Sequence, residues 1–295
     1  MDANALRDAT LTVLIPAYNE EDGIPGVLEE LQRVLAMCSM RAFEIIVIDD
    51  GSSDGTAEQV RKYPDVKLLR HPSNRGYGAA LKTGVREARH EWVCITDADG
   101  TYPNERIPDL LMEAIAGADM VVGSRTAPGA RHSVLRRIPK AFLRRYAEWV
   151  ARAKIDDLNS GLRIFRREPA ERLLHLLPDG FSFTTTITLA MLTNHQSLRF
   201  VPIQYADRIG RSKIRPVRDT LNFLLLIVRI GTYFAPLRIF MPMAAALFAL
   251  FIMSFTYDVI VLSNLTDKTL IFLTTSMNIG MFGLLADAIQ RRIGE

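Results

Sequence analysis

The sequence predicts an α/β fold, with a mostly parallel sheet covered by helices on both faces, followed by a C-terminal pair of apolar helices. Three observations carry this expectation. Short aliphatic runs alternate with stretches of helical periodicity, acidic and glycine-containing segments follow those runs, and from Leu221 onward the chain is far more apolar than before it. Alternating strands and helices favour parallel pairing with crossovers on both faces, because each helix buries its apolar stripe against the sheet.

The strand candidates are residues 11–15, 43–48, 66–69, 92–96 and 120–122. Helical patterns lie between them at 24–37, where Ile24, Val27, Leu28, Leu31, Val34 and Leu35 recur, and at 79–88. In such sheets ligands bind outside the carboxyl ends of the strands, where the departing loops converge. Pro16-Ala17-Tyr18-Asn19-Glu20 follows the first strand, Asp49-Asp50-Gly51-Ser52-Ser53-Asp54-Gly55-Thr56 the second and Asp97-Ala98-Asp99-Gly100 the fourth. A turn and a helix cap account for Asp54-Gly55-Thr56. They do not account for Asp49, Asp50, Asp97 and Asp99 together with Glu20. Such crowding of acids is tolerable when a divalent cation or a hydrogen-bonding ligand is present. One or two carboxylates, with water and substrate phosphates completing the shell, is the habit of magnesium, so the expected ligand is a phosphorylated small molecule. Asn74-Arg75-Gly76-Tyr77-Gly78 lacks the full dinucleotide spacing and is expected to be a tight turn into the helix bearing Lys82.

Two charge-free runs, 239–257 and 269–286, raise the hydrophobic content to 48%. Each covers roughly 27–28 Å as a helix, close to the hydrocarbon thickness of a bilayer. The polar link 263–268 predicts a hairpin. Arg229 and Arg238 precede the first run and Arg291 and Arg292 follow the second, which places the N-terminal part and both termini in the cytoplasm. Asp258 is expected at the far interface. No apolar h-region follows the first residues. Cys38 and Cys94 are expected as core residues, and the five histidines lack metal-ligand spacing. Net charge is a modest +3, and no nucleic acid is expected as a partner. Basic residues nevertheless gather at Arg131, Arg136, Arg137, Lys140, Arg144, Arg145, Arg152 and Lys154, against the single acid Glu148. Residues 134–150 read as a basic amphipathic helix with Leu135, Ile138, Phe142, Tyr146 and Trp149 on its apolar side, and residues 216–235 as a second interfacial helix.

The ordered motifs, continued by Gly123-Ser124-Arg125, Asp157-Leu158-Asn159-Ser160-Gly161-Leu162-Arg163 and Arg208-Ile209-Gly210-Arg211-Ser212-Lys213, resemble the inverting family-two glycosyltransferases. Within these the chain is most similar to the polyprenyl-phosphate glycosyltransferases of the dolichyl-phosphate mannose synthase type, over roughly residues 10–290. The resemblance implies a GT-A fold and a nucleotide site formed by Pro16, Ala17, Tyr18, Asn19, Glu20, Asp49, Asp50, Lys82, Asp97 and Ala98. It also implies Mg²⁺ or Mn²⁺ held by Asp97 and Asp99 as a D-x-D motif, with Thr101 as a weak ligand where some relatives have Gln. Asp99, Arg208 and Lys213 would act on the leaving diphosphate, and Arg125, Arg136 and Arg137 on the acceptor phosphate. Thr186 stands about where many relatives have an acid.

The expected organisation is a cytoplasmic catalytic domain (residues 1–214), a juxtamembrane amphipathic helix (215–237) and a two-span hairpin with a short cytoplasmic tail (238–295). The expected activity is transfer of a hexose from GDP-mannose or a UDP-hexose to a polyprenyl phosphate, with inversion. The acceptor phosphate is already ionised at neutral pH, so no His or Ser base is named. The partners would be the donor, the acceptor lipid and the membrane, and a homo-oligomer is compatible with the chain. Alternatives are the same donor chemistry on another lipid or a glycan, or a non-catalytic nucleotide-sugar-binding membrane module. A Rossmann dehydrogenase is disfavoured because Pro16-Ala17-Tyr18, not G-x-G-x-x-G, follows the first strand.

Overall fold

The computed structural model describes residues 6–126, 137–205 and 228–293. The chain divides into two compact units, Met1–Arg145 with Ala153–Lys213, and Tyr146–Arg152 with Ile214–Glu295.

The first unit is a seven-stranded sheet in the order β3-β2-β1-β4-β6-β5-β7. Its strands are β1 (Thr10–Ala17), β2 (Ala42–Asp49), β3 (Val66–Arg70), β4 (Trp92–Ile95), β5 (Met120–Ser124), β6 (Arg163–Arg166) and β7 (Leu198–Pro202). β3, β2, β1 and β4 are mutually parallel, β6 runs antiparallel to both β4 and β5, and β7 is parallel to β5. Seven residues of β1 in a row are buried, as expected of a central strand covered on both faces.

The helices are α1 (Ile24–Met37), α2 (Thr56–Val60), α3 (Tyr77–Glu87), α4 (Ile107–Ile115), α5 (Arg137–Ala151), α6 (Arg167–Leu173) and α7 (Phe183–Thr193). All six apolar positions expected on α1 are buried, and Ile24, Val27, Leu28, Leu31 and Leu35 join Leu11, Val13, Ile15 and Val47 in the core. α3 covers the opposite face. Gly84 permits its close approach, since a Cβ there would lie 2.9 Å from Ile48 Cδ1 and 3.0 Å from Leu14 Cδ1.

β6 and β7 were not among the expected strands. β6 offers two apolar residues between Arg163 and Arg166, too short a run to read as a strand, and β7 is broken by Arg199 and closed by Pro202. The helix expected at 134–150 is present from Arg137 as α5; Leu143, Ala147 and Val150 are buried, whereas Phe142 is 57% and Trp149 49% exposed, so two of the aromatic residues expected on its apolar side face outward.

In the second unit, α8 (Pro236–Tyr257) continues into a π-helical turn, Asp258–Leu262, and α9 (Asp267–Ile293) follows. The segments Pro236–Leu262 and Asp267–Gln290 are long and apolar enough to cross a bilayer, with mean hydropathies of 2.1 and 1.6. Only 6% and 17% of their most apolar windows are buried, the reverse of a soluble core helix. Ser276 Oγ donates to the Ala244 carbonyl at 3.0 Å, tying the two helices together. Most of the expected interfacial helix at 216–235 lies outside the described residues, and 228–234 is helical.

Candidate active site

β4 ends at Ile95, and the D-x-D loop turns away from the carboxyl end of the sheet with Gly100 at φ +68°. Asp99 is buried and its Oδ1 accepts from Thr101 Oγ1 at 2.7 Å and Thr101 N at 3.2 Å. Thr101 therefore braces Asp99, and its hydroxyl proton is spent on a carboxylate. Asp97 is half-buried and its Oδ1 accepts from Tyr77 Oη at 3.1 Å. Ala98 packs under the loop, its carbonyl so near Gly23 that a Cβ there would come within 2.7 Å.

The ends of β1 and β2 are stitched together. Asn19 adopts φ +54°, its N–H donates to Ser52 Oγ at 3.0 Å, and its Oδ1 accepts from Ser53 N at 2.9 Å. Glu20 N donates to Thr56 Oγ1 at 2.9 Å. Pro16 and Ala17 are the last residues of β1 rather than loop residues, and Tyr18 beyond them is 38% exposed. Asp49 and Asp50 are buried. Asp49 Oδ1 accepts from Ser52 N at 2.8 Å, and its Oδ2 faces Arg70 Nε at 3.0 Å, outside hydrogen-bonding geometry. Asp50 accepts from Arg75 N at 2.9 Å and Gly76 N at 2.8 Å and faces His71 Nδ1 at 2.7 Å. The crowding of acids expected at this edge is thus relieved by the protein's own donors at Asp49 and Asp50. Among the described residues no three His, Cys, Asp or Glu side chains cluster as a metal cage. A polar cavity of about 330 Å³ beside them is lined by Gly51, Ser52, Arg70, His71 and Pro72.

Because β6 is antiparallel, its leading segment reaches the same sheet edge; Arg163 is registered opposite Ile95. Gly161 N donates to Tyr102 Oη at 2.6 Å, and a Cβ on Gly161 would lie 3.0 Å from each Asp97 carboxylate oxygen. Arg163 is fully buried and donates to the carbonyls of Ser160 and Thr184, the latter at 2.9 Å, and to Thr188 Oγ1 at 3.1 Å. Burial lowers its pKa to about 10, which leaves it charged at neutral pH. Tyr77 is half-buried, but its hydroxyl is enclosed. That burial first, and then the Asp97 charge, push its pKa well above the ordinary tyrosine value. Arg125 forms a two-point pair with Asp157 and lies over the Tyr205 ring at 5.4 Å. Thr185 Oγ1 donates to Asn159 Oδ1 at 2.8 Å, and Thr186 Oγ1 returns to the Ser182 carbonyl at 2.8 Å.

Lys82 does not stand alone: its Nζ pairs with Asp179 Oδ1 at 2.7 Å. The Asp179 carbonyl accepts from Ala79 N at 3.1 Å, so a protein carbonyl takes up the first turn of α3. The glycines of Asn74–Gly78 make room for that loop, since a Cβ on Gly76 would lie 2.5 Å from Asp179 O.

Asp97, Ala98, Asp99, Thr101 and Arg125 share this sheet edge with Tyr77, Tyr102, Asp157, Asn159, Gly161 and Arg163. Glu20, Asp49 and Asp50 lie at the ends of the neighbouring β1 and β2. Arg136, Arg208 and Lys213 lie outside the described residues, as does the side chain of Arg137. Sequence reasoning gave no site role to Tyr77, Tyr102, Arg70 or His71. Tyr77 sat inside a motif read only as a turn, and the rest carried no spacing signal.

Residues 12–174 match Glycosyl transferase family 2, and residues 235–291 match the GtrB C-terminal hairpin. The chain is 30% identical over 250 residues to a dolichyl-phosphate beta-glucosyltransferase of Dictyostelium discoideum, covering 77% of this chain and 75% of that one. It is 32% identical over 216 residues to a polyprenol monophosphomannose synthase of Mycolicibacterium smegmatis, covering 68% and 80%. Among solved structures it resembles glucosyl-3-phosphoglycerate synthase of Mycobacterium tuberculosis in complex with Mn²⁺, UDP and phosphoglyceric acid, with a TM-score of 0.60 at 19% identity over 78% of this chain and 80% of that one. That likeness bears on the fold, which is GT-A. With more than half of its length matched, the chain belongs to glycosyl transferase family 2 and carries a GtrB-type C-terminal hairpin.

Proposed function

We propose that this glycosyltransferase moves a hexose from a nucleoside diphosphate sugar to the phosphate of a polyprenyl phosphate at the cytoplasmic face of a membrane, with both termini on that side. The observation that carries the reading is the pairing in one chain of the Asp97–Asp99 loop with two helices apolar enough to span a bilayer. A soluble acceptor needs no such hairpin. The two polyprenol-linked relatives support the lipid class, and their names, one glucosyl and one mannosyl, leave the hexose and the base to experiment.

The donor set suits Mg²⁺ or Mn²⁺. Asp97 and Asp99 supply hard oxygen ligands from one turn, and the scarcity of a third acid beside them among the described residues leaves the rest of a shell to water and phosphate. When bound, such a cation offsets the charge of the diphosphate leaving group. The protein's share is positioning. Thr101 fixes Asp99, Tyr77 holds Asp97, and Arg208 and Lys213 are assigned to the leaving diphosphate from their motif alone. A phosphate oxygen of the lipid attacks the anomeric carbon and forms the new C–O bond. The bond to the nucleoside diphosphate breaks with its electron pair, and the configuration inverts. Arg125, Arg136 and Arg137 are the candidates for holding the attacking phosphate.

The test is incubation of the purified full-length protein with UDP- and GDP-sugars, Mg²⁺ or Mn²⁺, and undecaprenyl or dolichyl phosphate, with products read by mass. A metal-dependent polyprenyl-phosphate hexose is the expected product, and Asp99→Ala abolishes it while the protein stays folded. Transfer surviving in that variant would overturn the D-x-D assignment, and donor binding without transfer to any acceptor would favour the non-catalytic alternative.

A further inference from the structure

Tyr77 is the first residue of α3, and its hydroxyl donates to Asp97 Oδ1 at 3.1 Å. The surroundings of the ring make this contact a built one. On one side the ring stacks on Phe181, with centroids 5.7 Å apart and planes 19° apart. The Phe181 loop is itself locked to the start of α3 by Ala79 N donating to the Asp179 carbonyl at 3.1 Å and by the Lys82–Asp179 pair at 2.7 Å. Gly76, at φ +105°, lets the two backbones meet. Across the site, Asp97 lies against Gly161, where a Cβ would be 3.0 Å from both carboxylate oxygens. The carboxylate is therefore bracketed by a phenol donor and a bare stretch of backbone.

We infer that Tyr77 is a positioning residue that fixes the orientation of the Asp97 carboxylate for a divalent cation. The inference rests on the reading that Asp97 carries that cation. The last torsion of an aspartate is broad and roughly two-fold, so an unheld carboxylate samples orientations that present its oxygens poorly. A neutral phenol donating to one oxygen narrows that range, in the way outer-shell partners orient metal ligands elsewhere. Phe181, itself 87% exposed, stacks on the phenol ring from the solvent side. The glycine-rich turn after the third strand thus delivers a hydrogen-bond donor to Asp97.

The experiment is Mn²⁺ titration of the detergent-solubilised full-length protein, with free Mn²⁺ followed by its paramagnetic resonance signal, alongside thermal melting and the Mn²⁺ concentration for half-maximal transfer. Tyr77→Phe keeps the ring and its stacking and loses only the hydroxyl. It is expected to weaken Mn²⁺ binding by about 10-fold or more, to raise the half-activating Mn²⁺ concentration in parallel, and to recover most of kcat at saturating Mn²⁺ with an unchanged Tm. Asp97→Asn and Tyr77→Leu are the controls. Should Asp97→Asn bind Mn²⁺ as tightly as the parent, the assignment of the cation to Asp97 fails, and this inference with it. If Asp97→Asn loses Mn²⁺ while Tyr77→Phe matches the parent, only the positioning role is overturned. In that case, a loss confined to Tyr77→Leu marks the ring as packing alone.

Discussion

Arg125 and Asp157 meet in a two-point ion pair, Nε to Oδ2 at 2.8 Å and Nη2 to Oδ1 at 2.9 Å, with both side chains mostly buried. Asp157 also accepts from the backbone N–H groups of Arg125 and Asn159. It thereby ties the end of β5 to the segment that leads into β6. An arginine expected on an acceptor phosphate is thus already held by a carboxylate, which fixes its plane and direction without removing its remaining N–H donors. Asp157→Asn keeps the shape and leaves a mostly buried guanidinium short of its counter-charge. The expected loss is about 2–3 kcal/mol of stability, measured as a lower denaturation midpoint, with a larger fall in transfer than in donor binding.

The same pair sets a pH dependence. Burial pushes the Asp157 carboxyl up, but the hydrogen bond and charge of Arg125, with the two N–H donors, outweigh it and hold the carboxyl below the usual aspartate range. The unfolded chain therefore takes up this proton at a higher pH than the folded one. The contribution to stability is complete above the unfolded value, about 3.9, and is lost as the pH falls through the lower folded value. The parent should exceed Asp157→Asn in stability at pH 6, and the gap should shrink steadily below pH 4. A gap that is constant with pH would rule out this linkage.

Lys82 offers a cleaner separation of roles. If its work is to hold the Asp179 loop, Lys82→Ala and Asp179→Ala should have similar small effects, below about 1 kcal/mol because Asp179 is largely exposed, and the double variant should be no worse than either single one. A nucleotide contact would instead make Lys82→Ala raise the donor KM while Asp179→Ala leaves it unchanged.

How far the sequence reaches can be seen at particular residues. The parallel half was legible because β1, β2 and β4 are short apolar runs with an acid within three residues of each end, and α1 shows its periodicity without interruption. Asp97 and Asp99 were legible as a pair because no turn chemistry needs both. Their supports were not. Tyr77 and Gly161 are 20 residues before Asp97 and 64 after it, and only the antiparallel arrival of β6 brings Gly161 back to that edge. Pairing direction depends on where a chain returns from, and no local pattern in Arg163–Arg166 records it. The same limit applies to Asp49 and Asp50, whose charges looked unrelieved only because Ser52 N, Arg75 N and Gly76 N are backbone donors that a sequence does not display.

The hairpin supplies the last prediction. Asp258, expected at the far interface, stands at the turn between α8 and α9 with its side chain buried. Its Oδ2 accepts from Thr266 N at 2.8 Å, Thr266 Oγ1 at 2.6 Å and Thr269 Oγ1 at 2.7 Å, while Lys268 Nζ lies 3.7 Å from Oδ1 and 5.3 Å from the centre of the Tyr257 ring. One carboxylate thus ties the π-helical turn to Thr266, the residue just before α9, and to the hydroxyl of Thr269 in the first turn of that helix. In a poorly hydrated setting, donors left unpaired by Asp258→Ala cost more than they would in water. Asp258→Ala should lower the Tm of the detergent-solubilised protein. Asp258→Asn, which still accepts but lacks the charge, should fall between it and the parent, and both should bind Mn²⁺ as the parent does. Equal melting of all three would mean that packing of the two helices alone holds the hairpin, and a fall in Mn²⁺ affinity would mean that the turn is coupled to the D-x-D loop.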